Sequence, residues 1–259
     1  VTLLDQRPLQ QLPGFVEQYC SMHDLDPRRA AQMIRQGLAH ERDASSPRPS
    51  YLVALEERWY RSLVSGTPDY SIYDAAYYFV DLWVCWATYS RGYLRSLRKI
   101  RAIVGEVGSV VDMGCGIGYT TAALTELYPD ATVAGVDQPD TTHYPFAARQ
   151  AKQYGFRMRP RVDGVGDADL VFASEFFEHV IEPLAVLREI VAVCYPRHLF
   201  IANSFNTLSH GHFAEYTVDG ATVDQAAISR RFNRELLRLG YEKQVTGLWN
   251  NRPALWSRP

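Results

Sequence analysis

The sequence predicts an α/β fold: a parallel sheet covered by helices on both faces, preceded by a helical cap. Three observations carry this. Residues 1–104 hold apolar positions at helical spacing, and from about Gly108 short β-branched runs begin to alternate with helical segments. Those strand runs are continuously apolar instead of alternating, as expected of strands buried on both faces. A chain of 259 residues can bury a full core, as one large domain or as a domain with a cap. We divide it into a cap over 1–104, taken as the acceptor-binding region, and a sheet domain over 105–259.

The cap elements follow in order. "DPRRAAQMIRQGLAHERD" reads as a helix with Asp26 as N-cap and Pro27 at its first position. "ASSPRPS" (44–50) is a loop, "YLVALEERWYRSLVSG" resumes the helical period, and "TPDYS" is a turn. From Ile72 to Ile103 the spacing predicts two further helices, rich in tyrosine and tryptophan. Within them "AAYYFVDLWVCWATY" is the most apolar run, too short to span a bilayer and interrupted by Asp81. In the sheet domain, "SVVDMG", "ATVAGVD", "DLVFAS" and "RHLFIANS" are strands. "YTTAALTELYP" and "PLAVLREIVAVCYP" are helices between them. "RRFNRELLRLGYE" is a helix closed by Gly240, and "KQVTGLW" with "PALWSR" forms a closing strand pair.

Composition excludes some classes. A formal net charge of −2 implies neither a nucleic-acid track nor a membrane surface. Cys20, Cys85, Cys115 and Cys194 are scattered, with no zinc spacing and no disulfide framework, which suits a reducing cytoplasm. No signal peptide is expected.

Ligands on such sheets bind beyond the carboxyl ends of the strands. There, "VVDMGCGIGYTT" sets Asp112, Gly114, Cys115, Gly116 and Gly118 between a strand and a helix, a turn that lets backbone amides approach a ligand. The second strand ends in Asp137, placed to accept from ribose hydroxyls, with Gln138 next to it. A glycine-rich turn is shared with dinucleotide-binding domains, but nothing here reads as a nicotinamide partner domain. Asp112 ahead of glycines at alternate positions resembles the class I S-adenosylmethionine-dependent methyltransferases, from about Val104 to the C-terminus. The resemblance implies a Rossmann-like sheet. It further implies that Asp112 and the 114–118 loop hold the methionine end of S-adenosylmethionine, that Asp137 holds the ribose, and that Asp163 lies near the adenine.

In that frame "DLVFAS" is the fourth strand, whose tip faces the transferred methyl. "SEFFEH" follows, with Glu175, Glu178 and His179 at offsets suited to one face of a helical turn. A glutamate–histidine pair alone is also an ordinary polar helix start. Here the added Glu175 and the later "HGHFAEY", with His210 and His212, resemble the metal site of ubiquinone-pathway O-methyltransferases and small-RNA 3′-terminal 2′-O-methyltransferases. The resemblance implies a ligand set of Glu175, Glu178, His179 and His212. His212 is preferred to His210 for its sequence context. The metal is Mg²⁺ or Mn²⁺ by resemblance, while imidazole ligands also suit Fe, Co, Ni or Zn. An imidazole that is not a ligand, His210 or His143, can take the acceptor proton.

The expected acceptor is a small hydroxylated metabolite, a natural-product phenol or a sugar-like molecule, bound under an aromatic cap; its Tyr70, Tyr73, Tyr77, Tyr78, Phe79, Trp83, Trp86, Tyr89 and Tyr93 read first as core, with some tyrosines second as pocket lining. RNA ends come second: Arg91, Arg95, Arg98, Lys99 and Arg101 read first as a solvated helix face, second as a phosphate-binding one. Arg252, in "LWNNRPALW", reads first as part of a turn and second as an anion contact. A metal-free N-methyltransferase and a non-catalytic cofactor-binding protein are the other readings. Assembly into a homo-oligomer stays open.

Overall fold

The structure is a computed structural model that describes residues 2–43, 45–248 and 253–259. The cap is made of α1 (Pro8–His23), α2 (Pro27–Arg42), α3 (Ser50–Val64), a 3₁₀ turn (Tyr70–Asp74), α4 (Ala76–Cys85), α5 (Arg91–Lys99) and α6 (Arg101–Val104). Asp26 caps α2, its side chain accepting from the Arg28 amide, and Pro27 opens the helix. Between α4 and α5 the chain does not break. A π-helical turn over Trp86–Ser90 joins them, so the two helices predicted over 72–103 are one continuous rod with a wide turn, ended by the short α6. π-turns of this kind cluster at functional sites, and Trp86 and Ser90 line the cavity described below.

The sheet domain begins with β1 (Ser109–Met113), α7 (Tyr119–Leu127), β2 (Thr132–Val136), α8 (His143–Tyr154), β3 (Arg157–Arg159) and β4 (Leu170–Ser174). It continues through α9 (Pro183–Cys194), β5 (His198–Ala202), a hairpin of β6 (Glu215–Val218) and β7 (Ala221–Asp224), α10 (Gln225–Arg238), β8 (Glu242–Lys243) and β9 (Ala254–Ser257). Seven strands pair in the order β3-β2-β1-β4-β5-β9-β8, with β6-β7 as a separate ribbon. The first five are parallel, and β9 runs antiparallel to both β5 and β8.

Three expectations need correction. The predicted strand "KQVTGLW" shortens, among the described residues, to Glu242–Lys243, which pair with Ser257 and Trp256, plus one bond from the Gln244 amide to the Leu255 carbonyl; Trp249 lies outside the described residues. β3 and the β6-β7 hairpin were not anticipated. The "SEFFEH" stretch does not enter an α-helical turn: Glu175 is left-handed at φ 52°, and only Phe177–His179 turn, as 3₁₀ helix.

Two apolar cores flank the sheet. One joins Phe15, Phe79, Trp83 and Trp86 of the cap to α7, α8 and the inner face of β1. The other joins Leu55, Trp59 and Ile72 to β4, β5, α9 and α10. Cap and sheet therefore share both cores. Trp59 and Trp83 are fully buried, and truncating such a side chain to alanine costs about 3–5 kcal/mol.

Because β1, β2, β4 and β5 are parallel, Met113, Val136, Ser174 and Ala202 end on one rim. The loops that follow them, with the cap above, border a cavity of about 1120 Å³.

Candidate active site

The cofactor half of the cavity is built on the end of β1, where residues 113–117 line the wall while Asp112 and Gly118 do not. Asp112 is buried on β1, and its carboxylate accepts from the Thr121 hydroxyl at 2.6 Å. Burial, opposed by that hydrogen bond and assisted by Asp137, pushes its pKa up to about 7. Gly114, at φ 68°, could not be alanine: a Cβ would stand 2.5 Å from the Phe176 ring. Asp137 follows directly after β2, its carboxylate accepting from the Gly116 amide at 2.6 Å and the Gln138 amide at 2.8 Å. His143 packs against it, Nε2 3.1 Å from Asp137 Oδ1, with Nδ1 buried and without a partner among the described residues. Gly114, Cys115, Gly116, Asp137, Gln138 and His143 all line the cavity.

Asp163 does not join them. Its side chain is 64 % exposed and pairs with Arg161, whereas Pro160, Arg161 and Val162 line the cavity at that edge. The 3₁₀ turn over Val162–Gly164 buries Val162 and turns the neighbouring acid outward.

The second half is built on the tip of β4. Ligand atoms of Glu175, Glu178 and His212 all lie within 4.8 Å of one another. Glu178 is 0 % exposed. Its Oε1 accepts from the Ser204 amide at 2.7 Å, while Oε2 is buried without a partner among the described residues. Burial first, then the Glu175 carboxylate, raises its pKa well above the usual carboxylate range. His212 donates from Nδ1 to the Thr207 carbonyl at 2.8 Å, which leaves Nε2 as a lone-pair donor. Burial lowers its pKa to about 4 despite that bond, so the ring is neutral at physiological pH. His179 stands beside His212 with ring centroids 4.7 Å apart, but its Nδ1 faces the Tyr73 hydroxyl at 3.2 Å. It is also held neutral, by burial and by the neighbouring histidines.

His210 is engaged elsewhere, with Nε2 3.1 Å from Asp81 Oδ2. Burial opposes charge on this ring, but the Asp81 carboxylate outweighs it and the pKa is raised. Asp81 is thus a functional candidate that pattern reasoning passed over. The available signal was its position as a lone charge in the most apolar run, since a buried charge needs a partner. Glu56, paired with Arg48, and Tyr89, bonded to Glu41, complete the polar wall of this chamber.

The basic set of α5 and α6 is mostly paired within the chain. Arg91 and Arg95 donate to the Leu4 carbonyl, Arg98 pairs with Asp5 and Arg101 with Glu106. Asn250, Asn251 and Arg252 lie outside the described residues. No helix among the described residues is long and apolar enough to cross a membrane.

Five parallel strands closed by an antiparallel β9, with a glycine-rich loop after β1 and an acid just beyond β2 opening into one cavity, fit the class I S-adenosylmethionine-dependent methyltransferase fold, in a sheet type shared with dinucleotide-binding domains. The chain belongs to the methyltransferase domain family, whose model matches residues 86–243. It is 34 % identical over 108 residues to the ubiquinone biosynthesis O-methyltransferase of Methylobacterium nodulans, covering 39 % of this chain and 42 % of that one. It is 32 % identical over 79 residues to the trans-aconitate 2-methyltransferase of Deinococcus radiodurans, covering 30 % and 31 %. The chain thus matches less than half the length of these curated relatives. In fold it is similar to an O-methyltransferase family protein of Burkholderia thailandensis, with a TM-score of 0.51 and 13 % identity over 71 % of this chain and 60 % of that one. A protein of Nostoc punctiforme PCC 73102 described as an O-methyltransferase gives a TM-score of 0.51 and 14 % identity over 80 % and 68 %.

Proposed function

We propose that this methyltransferase transfers its methyl group to a hydroxyl of a small metabolite, a phenol or a sugar-like molecule, assisted by a divalent cation. The observation that carries the reading is the convergence of Glu175, Glu178 and His212 within 4.8 Å, with Glu175 and His212 lining the cavity and Glu178 buried behind them. The residues fit a cation. Glu178 Oε2 is a buried acceptor with no partner among the described residues, and His212 presents a neutral Nε2. Two carboxylates and an imidazole accept Mg²⁺ or Mn²⁺, and Fe, Co, Ni or Zn as well. His179, adjacent to His212, is the candidate fourth donor.

When bound, the cation would lower the pKa of the acceptor hydroxyl, and S-adenosylmethionine would supply the methyl on a sulfonium. Everything else falls to the chain. Asp112 and the 114–118 loop hold the methionine end of the cofactor, and Asp137 the ribose. The neutral histidines and the two glutamates orient the acceptor oxygen, a proximity effect that contributes about 7 kcal/mol or more. His210, oriented by Asp81, takes the hydroxyl proton. Tyr70, Tyr73, Tyr78 and Tyr89 line the chamber and exclude water. The same cavity must also hold the cofactor, which favours a small acceptor, and the internal engagement of Arg91 and Arg95 weakens the RNA-end reading.

The test is methyl transfer over a panel of phenols, sugars and short RNAs, with and without EDTA. We expect turnover on a small hydroxyl acceptor, lost in EDTA and restored by Mn²⁺ or Mg²⁺. Full activity in chelator, or turnover confined to RNA, would refute the reading.

A further inference from the structure

We infer that the N-terminal helices position the candidate metal ligands, with Trp59, Tyr73 and Asp81 holding the two ligand-bearing segments from the cap side. The inference rests on the metal reading above.

Each contact is specific. The Trp59 indole N–H donates to the His212 carbonyl at 2.7 Å, across 153 positions of sequence, and the ring is fully buried edge-on to Phe213. The Tyr73 hydroxyl meets His179 Nδ1 at 3.2 Å. Asp81, the one acid in the otherwise uncharged α4, reaches His210 Nε2 at 3.1 Å. The His210-Gly211-His212 segment is therefore gripped on both sides of a left-handed glycine. Gly211 itself has φ 78°, and a Cβ there would come within 2.5 Å of His179 Nδ1 and 2.8 Å of the Tyr73 hydroxyl. Tyr73, Gly211 and His179 therefore pack closely against one another.

Sheet-domain contacts act on the same groups from below: the Ser204 amide on Glu178 and the Thr207 carbonyl on His212. They fix atoms within the loops. The cap contacts fix the loop relative to β4, which is what brings His212 to the glutamates. All three cap residues lie ahead of residue 86, where the family match begins. The positioning device is therefore built from chain outside the matched segment. Tyr73 and Asp81 also line the cavity, so the walls that meet the acceptor are the walls that hold the ligands.

Hydrogen bonds of this outer kind typically change metal affinity by about 10–100-fold. The test uses the full chain loaded with S-adenosylhomocysteine and titrated with MnCl₂, free Mn²⁺ being read by electron paramagnetic resonance. Trp59→Phe keeps an aromatic ring at this position and removes the N–H. Asp81→Ala removes the grip on His210, and Asp81→Asn retains an acceptor for it. Expected are Mn²⁺ affinities about 10-fold or more below wild type for Trp59→Phe and Asp81→Ala, with Asp81→Asn between. S-adenosylhomocysteine affinity stays within twofold throughout, a split that general loosening of the fold would not give. A second readout needs no metal. In ¹H–¹⁵N spectra of histidine side chains, wild type holds the His212 Nδ1–H tautomer, and Trp59→Phe and Asp81→Ala lose that fixed signal. Variants that bind Mn²⁺ within twofold of wild type and keep the tautomer overturn the inference. If wild type binds no Mn²⁺ while its His212 signal responds to the substitutions, the metal reading fails and the cap contacts stand as loop positioning alone; a silent signal as well removes both.

Discussion

Glu178→Gln separates a carboxylate kept for a cation from one kept for structure. In the native protein this side chain is fully buried, with one oxygen on the Ser204 amide and the other without a partner among the described residues. Leaving a buried acceptor unsatisfied costs about 1–3 kcal/mol, and more if it is charged. The nearby Glu175 adds like-charge repulsion. Glutamine keeps an acceptor for Ser204 and removes the ionisable group, so in EDTA the variant should be the more stable protein. For a domain of this size 1 kcal/mol moves the melting temperature by about 2–4 °C, which predicts a gain of a few degrees. With a cation the order reverses. A site at 100 times its dissociation constant stabilises by about 2.7 kcal/mol, so wild type should gain about 5–11 °C in saturating Mn²⁺ and Glu178→Gln little. The assay is a thermal melt of both proteins in EDTA and in MnCl₂. Equal metal-induced shifts would falsify the assignment, and a variant less stable than wild type in EDTA would show that Glu178 is a structural carboxylate.

Asp137→Ala removes the acceptor at the end of β2, and charge-assisted hydrogen bonds are worth about 1.5–3 kcal/mol. S-adenosylmethionine should bind about 10–100-fold more weakly by calorimetry, with Mn²⁺ affinity nearly intact; unchanged cofactor affinity would remove Asp137 from the ribose site. Asp112→Asn tests a pH effect. The folded carboxyl ionises at about 7 against an ordinary 3.8, so folding stability falls as pH rises from about 4 to about 7, and the loss is complete above that. The difference corresponds to up to about 4 kcal/mol. In urea denaturation of the cofactor-free protein, asparagine should outperform aspartate at pH 8 far more than at pH 4, while cofactor affinity drops. A gap independent of pH would contradict the burial argument. Gly211→Ala forces a Cβ into His179 and Tyr73 at a left-handed φ, a strain of about 1–3 kcal/mol. It should lower both melting temperature and Mn²⁺ affinity, and a variant with wild-type values in both would mean that the loop is not packed as described.

The inner strands were legible because burial on both faces makes them continuously apolar, as "VVDM" and "LVFAS" are. β3 was not, since an edge strand that pairs only with β2 can be three residues long and carry two arginines. The β6-β7 hairpin did leave a signal: Asp219-Gly220 are both at positive φ, the two-residue turn that an Asp-Gly pair favours. At the site, the glycine loop and its two acids were legible as local motif. The ligand geometry was only half so. The resemblance named Glu175, Glu178 and His212, which the structure brings together, but the left-handed Glu175 and the turning of His179 toward Tyr73 left no trace in the residue spacing. The Asp81–His210 and Trp59–His212 contacts span 129 and 153 positions. No local pattern encodes such pairs; only the packing of cap on sheet creates them.

That packing has a consequence for how the enzyme can change. If the cap were a separate lid, acceptor preference could vary without touching the chemistry. Here Leu55, Trp59 and Ile72 lie in one core with β4 and β5, the strands that end at the candidate ligands. Phe15, Phe79 and Trp83 share the other core with α7 and α8, which follow the cofactor loops. A substitution in the cap core should therefore register in cofactor or cation affinity as well as in acceptor binding. The exceptions are side chains that face the chamber without entering either core, such as Glu41 with Tyr89 and Glu56 with Arg48. Those are the positions where acceptor preference can shift while β4, the 204–212 loop and the 114–118 loop stay where they are.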